Sequence, residues 1–279
     1  MDLKLVPEPL LIASDVDGTL INDQERIPAH VRSAIFRATR AGCVFALATG
    51  RPPRWIRPVL EQLRVRPLCV CANGAIIYDS ATDTMVNVSS LAPAALHEVA
   101  RIAREVLADV GGVGFAVERA GESAFQPEES LFLVSPDYIP AWFAAEFGMV
   151  PEAELFSVPA IKLLLRNDQL PSAEIYRLVA PHIPESLAHL TFSVSDGLVE
   201  VAAPRVTKAT GVQFLAQHIG ATARDVVCFG DMPNDIEMLR WAGLGVAMSN
   251  AMPEVKAAAD LVCGTNNDGG IADVLSRWF

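Results

Sequence analysis

The sequence predicts an α/β protein with a parallel sheet whose C-terminal edge is polar, interrupted by a second α/β domain of different pattern. Apolar runs at residues 10–14, 43–48 and 68–72 each stop abruptly in a polar loop containing glycine. Buried parallel strands end in this way, and open sheets of this kind keep their ligands at that edge. From about Asp83 to about Ser195 the strand-like pieces are short or alternating, as in an antiparallel sheet with helices on one face. After Val206 the first pattern resumes.

The first run ends in Asp15-Val16-Asp17-Gly18-Thr19. Strand alternation predicts that Asp15 and Asp17 share one side, with Val16 turned away into the packing. Two carboxylates about 4 Å apart repel by roughly 4 kcal/mol at an effective dielectric near 20. A positive group is therefore expected between them. A hard, oxygen-seeking cation such as Mg²⁺ suits two carboxylates and keeps waters that a phosphate can displace. Asp, Gly and Thr are also turn residues, so a solvated turn is the alternative.

Pro28 can open a helix with Val31, Ile35 and Ala38 on one face, and Gly42 can close it. The second strand delivers Thr49-Gly50-Arg51, and the third ends in Asn73-Gly74. Thr49 suits a helix cap before Pro52 as well as a ligand contact. Arg51 reads as a surface residue or as a second cation for a substrate. In the middle stretch, helices are expected at 93–108 and 171–180, and strands at 113–118, 131–135, 160–166 and 190–194. Lys162 reads as a sheet-face residue, and Trp55 and Trp142 as packing residues. Asp196-Gly197 reads as a tight hairpin turn that marks the return to the first domain. The domains are then 1–84 with 195–279, and 85–194.

In the last third, Lys208 opens a helix, and a strand at 225–229 leads into Gly230-Asp231-Met232-Pro233-Asn234-Asp235. Pro233 suits the first position of a helix. Asp231 then lies at the strand end and Asp235 in the first helical turn, where both can face one cation. The pattern closes with strands at 244–247 and 260–263, a helix at 253–259 and a terminal helix from Asp268.

A net charge of −11 over 279 residues argues against nucleic acid or an anionic membrane as a general partner, since both reward a basic face. A phosphate-bearing ligand has to be held locally by metal, amides and a few cations. The five cysteines are odd in number and mostly sit in apolar runs, which suggests buried thiols in a reducing cytoplasm. Residues 1–9, with Asp2, Lys4 and Glu8, lack a signal-type apolar segment. No zinc-ligand spacing is present, and no run is long enough to span a membrane.

Asp15-Val16-Asp17-Gly18-Thr19, Thr49-Gly50-Arg51, Lys208 and the 230–235 segment resemble, in order, the four motifs of the haloacid dehalogenase (HAD) superfamily. With Asn73-Gly74 and the stretch from Gly245 to Ala251, the chain is similar to its Cof-type phosphatases. The resemblance implies a doubly wound, Rossmann-like parallel-sheet core carrying an inserted α/β cap. It implies Asp15 as nucleophile and Asp17 as acid and base. Thr49, Gly50, Lys208 and Asn234 become phosphate-binding residues, and Asp15, the Asp17 carbonyl, Asp231 and Asp235 the Mg²⁺ site. The expected substrate is a small phosphorylated metabolite, a sugar phosphate or a cofactor phosphate such as pyridoxal phosphate or a flavin-related one. A phosphomutase on the same core and a non-catalytic phosphometabolite-binding module are the rival functions.

Overall fold

The computed structural model describes residues 7–140 and 146–279. Asp2, Lys4 and Trp142, on which the sequence reading drew, lie outside the described residues. Two compact units emerge, one running to Val86 and resuming at Thr207–Phe279, the other Asn87–Val206.

The first unit begins with β1 (Leu11–Ser14), α1 (Ala29–Arg40), β2 (Val44–Ala48), α2 (Arg57–Leu60), β3 (Leu68–Cys71), β4 (Ile76–Asp79) and β5 (Thr84–Val88). Strand β1 is wholly buried, as its uninterrupted apolar run requires. Helix α1 follows Pro28 and buries Val31, Ala34, Ile35 and Ala38 on one face. The terminal pair β4 and β5 was not anticipated. β4 turns back antiparallel to β3, so the sheet is parallel only as far as β3.

The second unit holds α3 (Pro93–Leu107), β6 (Gly114–Glu118), β7 (Phe132–Val134), β8 (Gly148–Met149), α4 (Glu152–Leu155), β9 (Lys162–Arg166), α5 (Ser172–Val179), β10 (His189–Thr191) and β11 (Leu198–Ala202). These strands form a six-stranded sheet in the order β10-β11-β9-β6-β7-β8. It is antiparallel except at β7 and β8. β11 corrects the expected boundary at residue 195. It pairs with β10 and β9 inside this sheet, so the return to the first unit falls at Thr207. The connection is also wider than a two-residue turn, because its innermost pair is Thr191 with Glu200.

The first unit resumes with α6 (Lys208–His218), β12 (Val226–Gly230), α7 (Ile236–Trp241), β13 (Leu244–Ala247), α8 (Pro253–Ala258), β14 (Leu261–Val262) and α9 (Gly270–Leu275). The full sheet runs β14-β13-β12-β1-β2-β3-β4-β5. Leu11, Ala13, Ala46 and Val70 pack with Val212 and Leu215 of α6 and Leu239 of α7, while α1 packs with α9 and β2. From β1 the chain winds outward in both directions, through β2 and β3 first and through β12 to β14 last. That switch point is where open α/β sheets leave a crevice beyond the strand ends. All five cysteines are free, and burial pushes the Cys43 and Cys263 thiols up to about 12. No helix among the described residues is long and apolar enough to cross a membrane.

Candidate active site

The register of β12, β1 and β2 sets Ser14 beside Phe229 on one side and Leu47 on the other. The next residues of all three strands therefore emerge at one edge, Asp15 from β1, Thr49 and Gly50 from β2, and Asp231 from β12. β3 adds Asn73, whose N–H donates to the Thr49 carbonyl at 2.9 Å. Lys208 reaches the same edge from the start of α6. A reciprocal cap fixes that helix start, with Thr207 accepting from the Thr210 N–H while the Thr210 hydroxyl accepts from the Thr207 N–H.

Four charged groups meet there. Lys208 Nζ donates to Asp15 Oδ1 at 2.6 Å and to Asp235 Oδ1 at 2.7 Å. The Lys208 and Asp15 side chains are 1% and 7% exposed and that of Asp235 is fully buried, so solvent does little to weaken these contacts. Asp15, Asp231 and Asp235 each place an oxygen within 4.8 Å of the others. Burial pushes the Asp15 carboxyl well above its ordinary value, with Lys208 opposing and the neighbouring acids adding to the rise. Burial and then Asp235 push Asp231 up to about 7, against the Thr19 hydroxyl, which donates to Asp231 Oδ1 at 2.8 Å. Burial also works against the Lys208 charge, but Asp15 and Asp235 outweigh it and hold the ammonium above its usual value.

Fully ionised, three carboxylates against one ammonium would carry two uncompensated negative charges in a buried space, the cost that the raised Asp15 and Asp231 carboxyls register, and a divalent cation would cancel them. The donor set, hard oxygens alone, suits Mg²⁺. The oxygens are not equivalent, however. Asp235 Oδ2 already accepts from the Asp231 and Met232 N–H groups at 2.9 and 3.0 Å, and its Oδ1 serves Lys208. Asp235 thus spends both oxygens on its own turn and the lysine, whereas Asp15 and Asp231 are each held by one donor, Lys208 and Thr19 respectively, and lie within hydrogen-bonding reach of one another.

Asp17 departs from the expected arrangement. The strand ends at Ser14 and the chain enters a tight turn in which Gly18 has φ +69°, so alternation no longer carries Asp17 to the side of Asp15. Its carboxylate lies outside the three-acid cluster and accepts two bonds from Arg51, at 2.8 Å from Nε and 2.5 Å from Nη2. Arg51 in turn donates to the Trp55 carbonyl at 3.1 Å. The cation expected between the Asp15 and Asp17 carboxylates is therefore not placed by this carboxylate, whereas the family resemblance assigns the metal contact to the Asp17 main-chain carbonyl. Thr49 is buried and accepts from the Arg51 N–H at 3.1 Å, which shapes the loop around Gly50. Asn234 Nδ2 donates to Asn73 Oδ1 at 3.0 Å.

Four supporting residues were not assigned from the sequence: Thr19 on Asp231, Arg51 on Asp17, Asn73 on Asn234, and Asn250, which donates to the Gly18 carbonyl at 2.8 Å. Each lies within or beside a motif already noted. What was missing was the partner, 161 residues away for Asn73 and 232 for Asn250.

The family model for haloacid dehalogenase-like hydrolases matches residues 12–275. The chain belongs to this family. As a haloacid dehalogenase-like hydrolase it is an enzyme, and its relatives include phosphatases. A 5-amino-6-(5-phospho-D-ribitylamino)uracil phosphatase of Bacillus subtilis is 29% identical over 271 residues, 96% of this chain and 95% of that protein. An HMP-PP phosphatase of Cronobacter sakazakii is 27% identical over 271 residues, 96% and 94% of the two chains. Among solved structures, the phosphatase BT1666 from Bacteroides thetaiotaomicron superposes with a TM-score of 0.80 at 22% identity, covering 98% of this hydrolase and 97% of that chain. The subclass IIB sugar phosphatase BT4131 gives 0.78 at 24% identity, covering 96% and 98%. These likenesses are to the hydrolase fold.

Proposed function

We propose that this hydrolase is a magnesium-dependent phosphatase that cleaves a small phosphorylated metabolite through an aspartyl-phosphate intermediate. The observation that carries the reading is Lys208 Nζ held between buried Asp15 and Asp235, beside an Asp231 that lacks a positive partner of its own among the described residues. Asp15 is the nucleophile. One of its oxygens attacks phosphorus as the ester P–O bond breaks, and the leaving oxygen takes a proton from Asp17. Asp17 then accepts a proton from water, whose oxygen attacks phosphorus. The acyl-phosphate P–O bond breaks and Asp15 is restored. To act in this way Asp17 exchanges Arg51 for the substrate oxygen.

Asp15, the Asp17 carbonyl and Asp231 hold magnesium, with Asp235 bracing them. When bound, the metal supplies positive charge toward the phosphoryl oxygens. Thr49, the Gly50 N–H, Lys208 and Asn234 bind those oxygens, and such fixed donors dominate phosphoryl-transfer catalysis. The relatives named for HMP-PP and for a phosphoribitylaminouracil support a sugar phosphate or a cofactor-related phosphate as the substrate. Five free thiols support a cytoplasmic setting.

The test is phosphate release from a panel of sugar and cofactor phosphates, with Mg²⁺ and with chelator, using Asp15→Asn as control. Release that needs the metal and vanishes in the variant is expected. Isomerised phosphate ester without free phosphate would make the protein a mutase, and binding without turnover would make it a binding module.

A further inference from the structure

We infer that Asn73 is a positioning residue, which orients the Asn234 amide so that it presents an N–H to the substrate phosphoryl group. The inference rests on the phosphate-binding role proposed for Asn234.

Asn73 sits in a costly conformation. Ala72, Asn73 and Gly74 are three successive residues with positive φ, at 49°, 55° and 102°. Left-handed backbone disfavours residues with a Cβ, and Asn tolerates it better than most. The surroundings hold the turn in place. The Ala72 N–H donates to the Arg51 carbonyl and the Asn73 N–H to the Thr49 carbonyl, both at 2.9 Å. On the other side Gly74 lies against the residue before Lys208, where an added Cβ would come within 2.2 Å of the Thr207 carbonyl oxygen. The turn is thus wedged between two of the loops assigned to phosphate, and its buried side chain reaches the third. Asn73 Oδ1 accepts from Asn234 Nδ2 at 3.0 Å.

That contact decides which end of the Asn234 amide faces where. A side-chain amide has two N–H donors on one end and an acceptor oxygen on the other. With one N–H given to Asn73, the second remains for a phosphoryl oxygen. Turned over, the same amide would offer an oxygen to an oxygen. The orientation has a cost, because Asn234 Oδ1 is buried with no partner among the described residues, and a buried acceptor left without a donor is destabilising. An unrestrained amide would turn to relieve it. Asn73 prevents the turn.

The experiment compares wild type, Asn73→Gly, Asn234→Ala and the double variant. Glycine is the residue most at ease at positive φ, so Asn73→Gly keeps the turn and removes only the side chain. Inorganic phosphate affinity is measured by calorimetry, kcat/KM on p-nitrophenyl phosphate with Mg²⁺, and melting temperature on each protein. The expected result is a melting temperature within about 3 °C of wild type for Asn73→Gly. Each single variant loses roughly tenfold in phosphate affinity and in kcat/KM, and the double variant is no worse than Asn234→Ala within about twofold.

Losses that multiply in the double variant would overturn the inference, since Asn73 would then act by another route. So would wild-type affinity in Asn73→Gly, a silent Asn234→Ala, or a wild type that binds no phosphate. A fall of more than about 3 °C in Asn73→Gly would make the role of Asn73 structural, which also overturns it. Failure of the phosphatase reading shows separately, as a wild type that binds phosphate but releases none, and the phosphate titrations still read the coupling.

Discussion

In the eight-stranded sheet buried charge gathers beyond the strand ends, where Lys208 meets Asp15 and Asp235 at 2.6 and 2.7 Å. In the six-stranded sheet it sits within the strands, where Lys162 of β9 pairs with Glu200 of β11 at 3.2 Å, and the Ser193 hydroxyl donates to Glu200 at 2.9 Å. Both pairs are almost fully removed from solvent. They differ in what surrounds them. Lys162 and Glu200 belong to paired strands with neighbours on either side. The Lys208 group faces loops from several strands and carries more negative charge than the lysine can balance. Burial alone does not mark chemistry here. Unbalanced charge at a sheet edge does.

The largest effect that sharpens this contrast is expected from Asp15→Asn. Removing the proposed nucleophile should lower kcat by at least about 10⁴-fold while leaving the circular dichroism spectrum unchanged, and near-wild-type phosphate release would refute its role. Next come the two lysines. Removing one partner of a buried ion pair costs about 3–5 kcal/mol, so Lys208→Met and Lys162→Met should both lower unfolding free energy in denaturant titrations. Only Lys208→Met should also weaken inorganic phosphate binding. Equal loss of phosphate affinity in both would erase the distinction between the two regions.

A smaller change tests the packing beneath the acids. An added Cβ at Gly18 would lie 2.3 Å from Asp231 Oδ2, at a φ of +69°. Gly18→Ala should therefore cost about 1–3 kcal/mol and raise the magnesium concentration needed for half-maximal activity.

The mildest test is pH. Burial and the neighbouring Asp235 push Asp231 in the folded chain up to about 7, above the roughly 4 of an unfolded aspartate, so between those values the folded state holds the extra proton. Stability contributed at low pH is then lost as pH rises. In chelator, melting temperature should fall by several degrees between pH 5 and pH 7.5. Magnesium should raise it more at pH 7.5 than at pH 5, and Asp231→Asn should make the chelator curve shallower, with Asp15, also held above its ordinary value, supplying the remaining slope. A curve that rises through this range would contradict the burial of Asp231 among other acids.

The same contrast governs what could be read from the sequence. Asp15, Thr49, Lys208 and Asp231 were legible because each directly follows a strand or opens a helix, so local pattern alone placed them at one edge. The Asp17 carboxylate was misplaced because alternation was carried one step past Ser14, into a turn set by Gly18. The second sheet was harder. Residues 198–201 read as the second arm of a hairpin after residues 191–195, and they do pair with β10, but nothing in their apolar run says that they also pair with β9 and so belong to the second unit and not to the first. The two-residue β8 and the returning β4 are short enough that pairing, not periodicity, defines them. Asn73 carried no local sign of Asn234, since the link between them exists only once β3 and β12 share a sheet.

The place of β1 between β2 and β12 bears on how the protein is made. A ribosome delivers β1, β2 and β3 first, then the whole second unit, and only after about 225 residues the strand that covers the other edge of β1. Until then the nascent chain presents an apolar, unpaired strand edge whose partner has not been synthesised, a condition that favours slow folding and association with other chains. The lysine and three acids of the site assemble at the same late moment, so a truncated chain ending before β12 would lack both its fold and its chemistry.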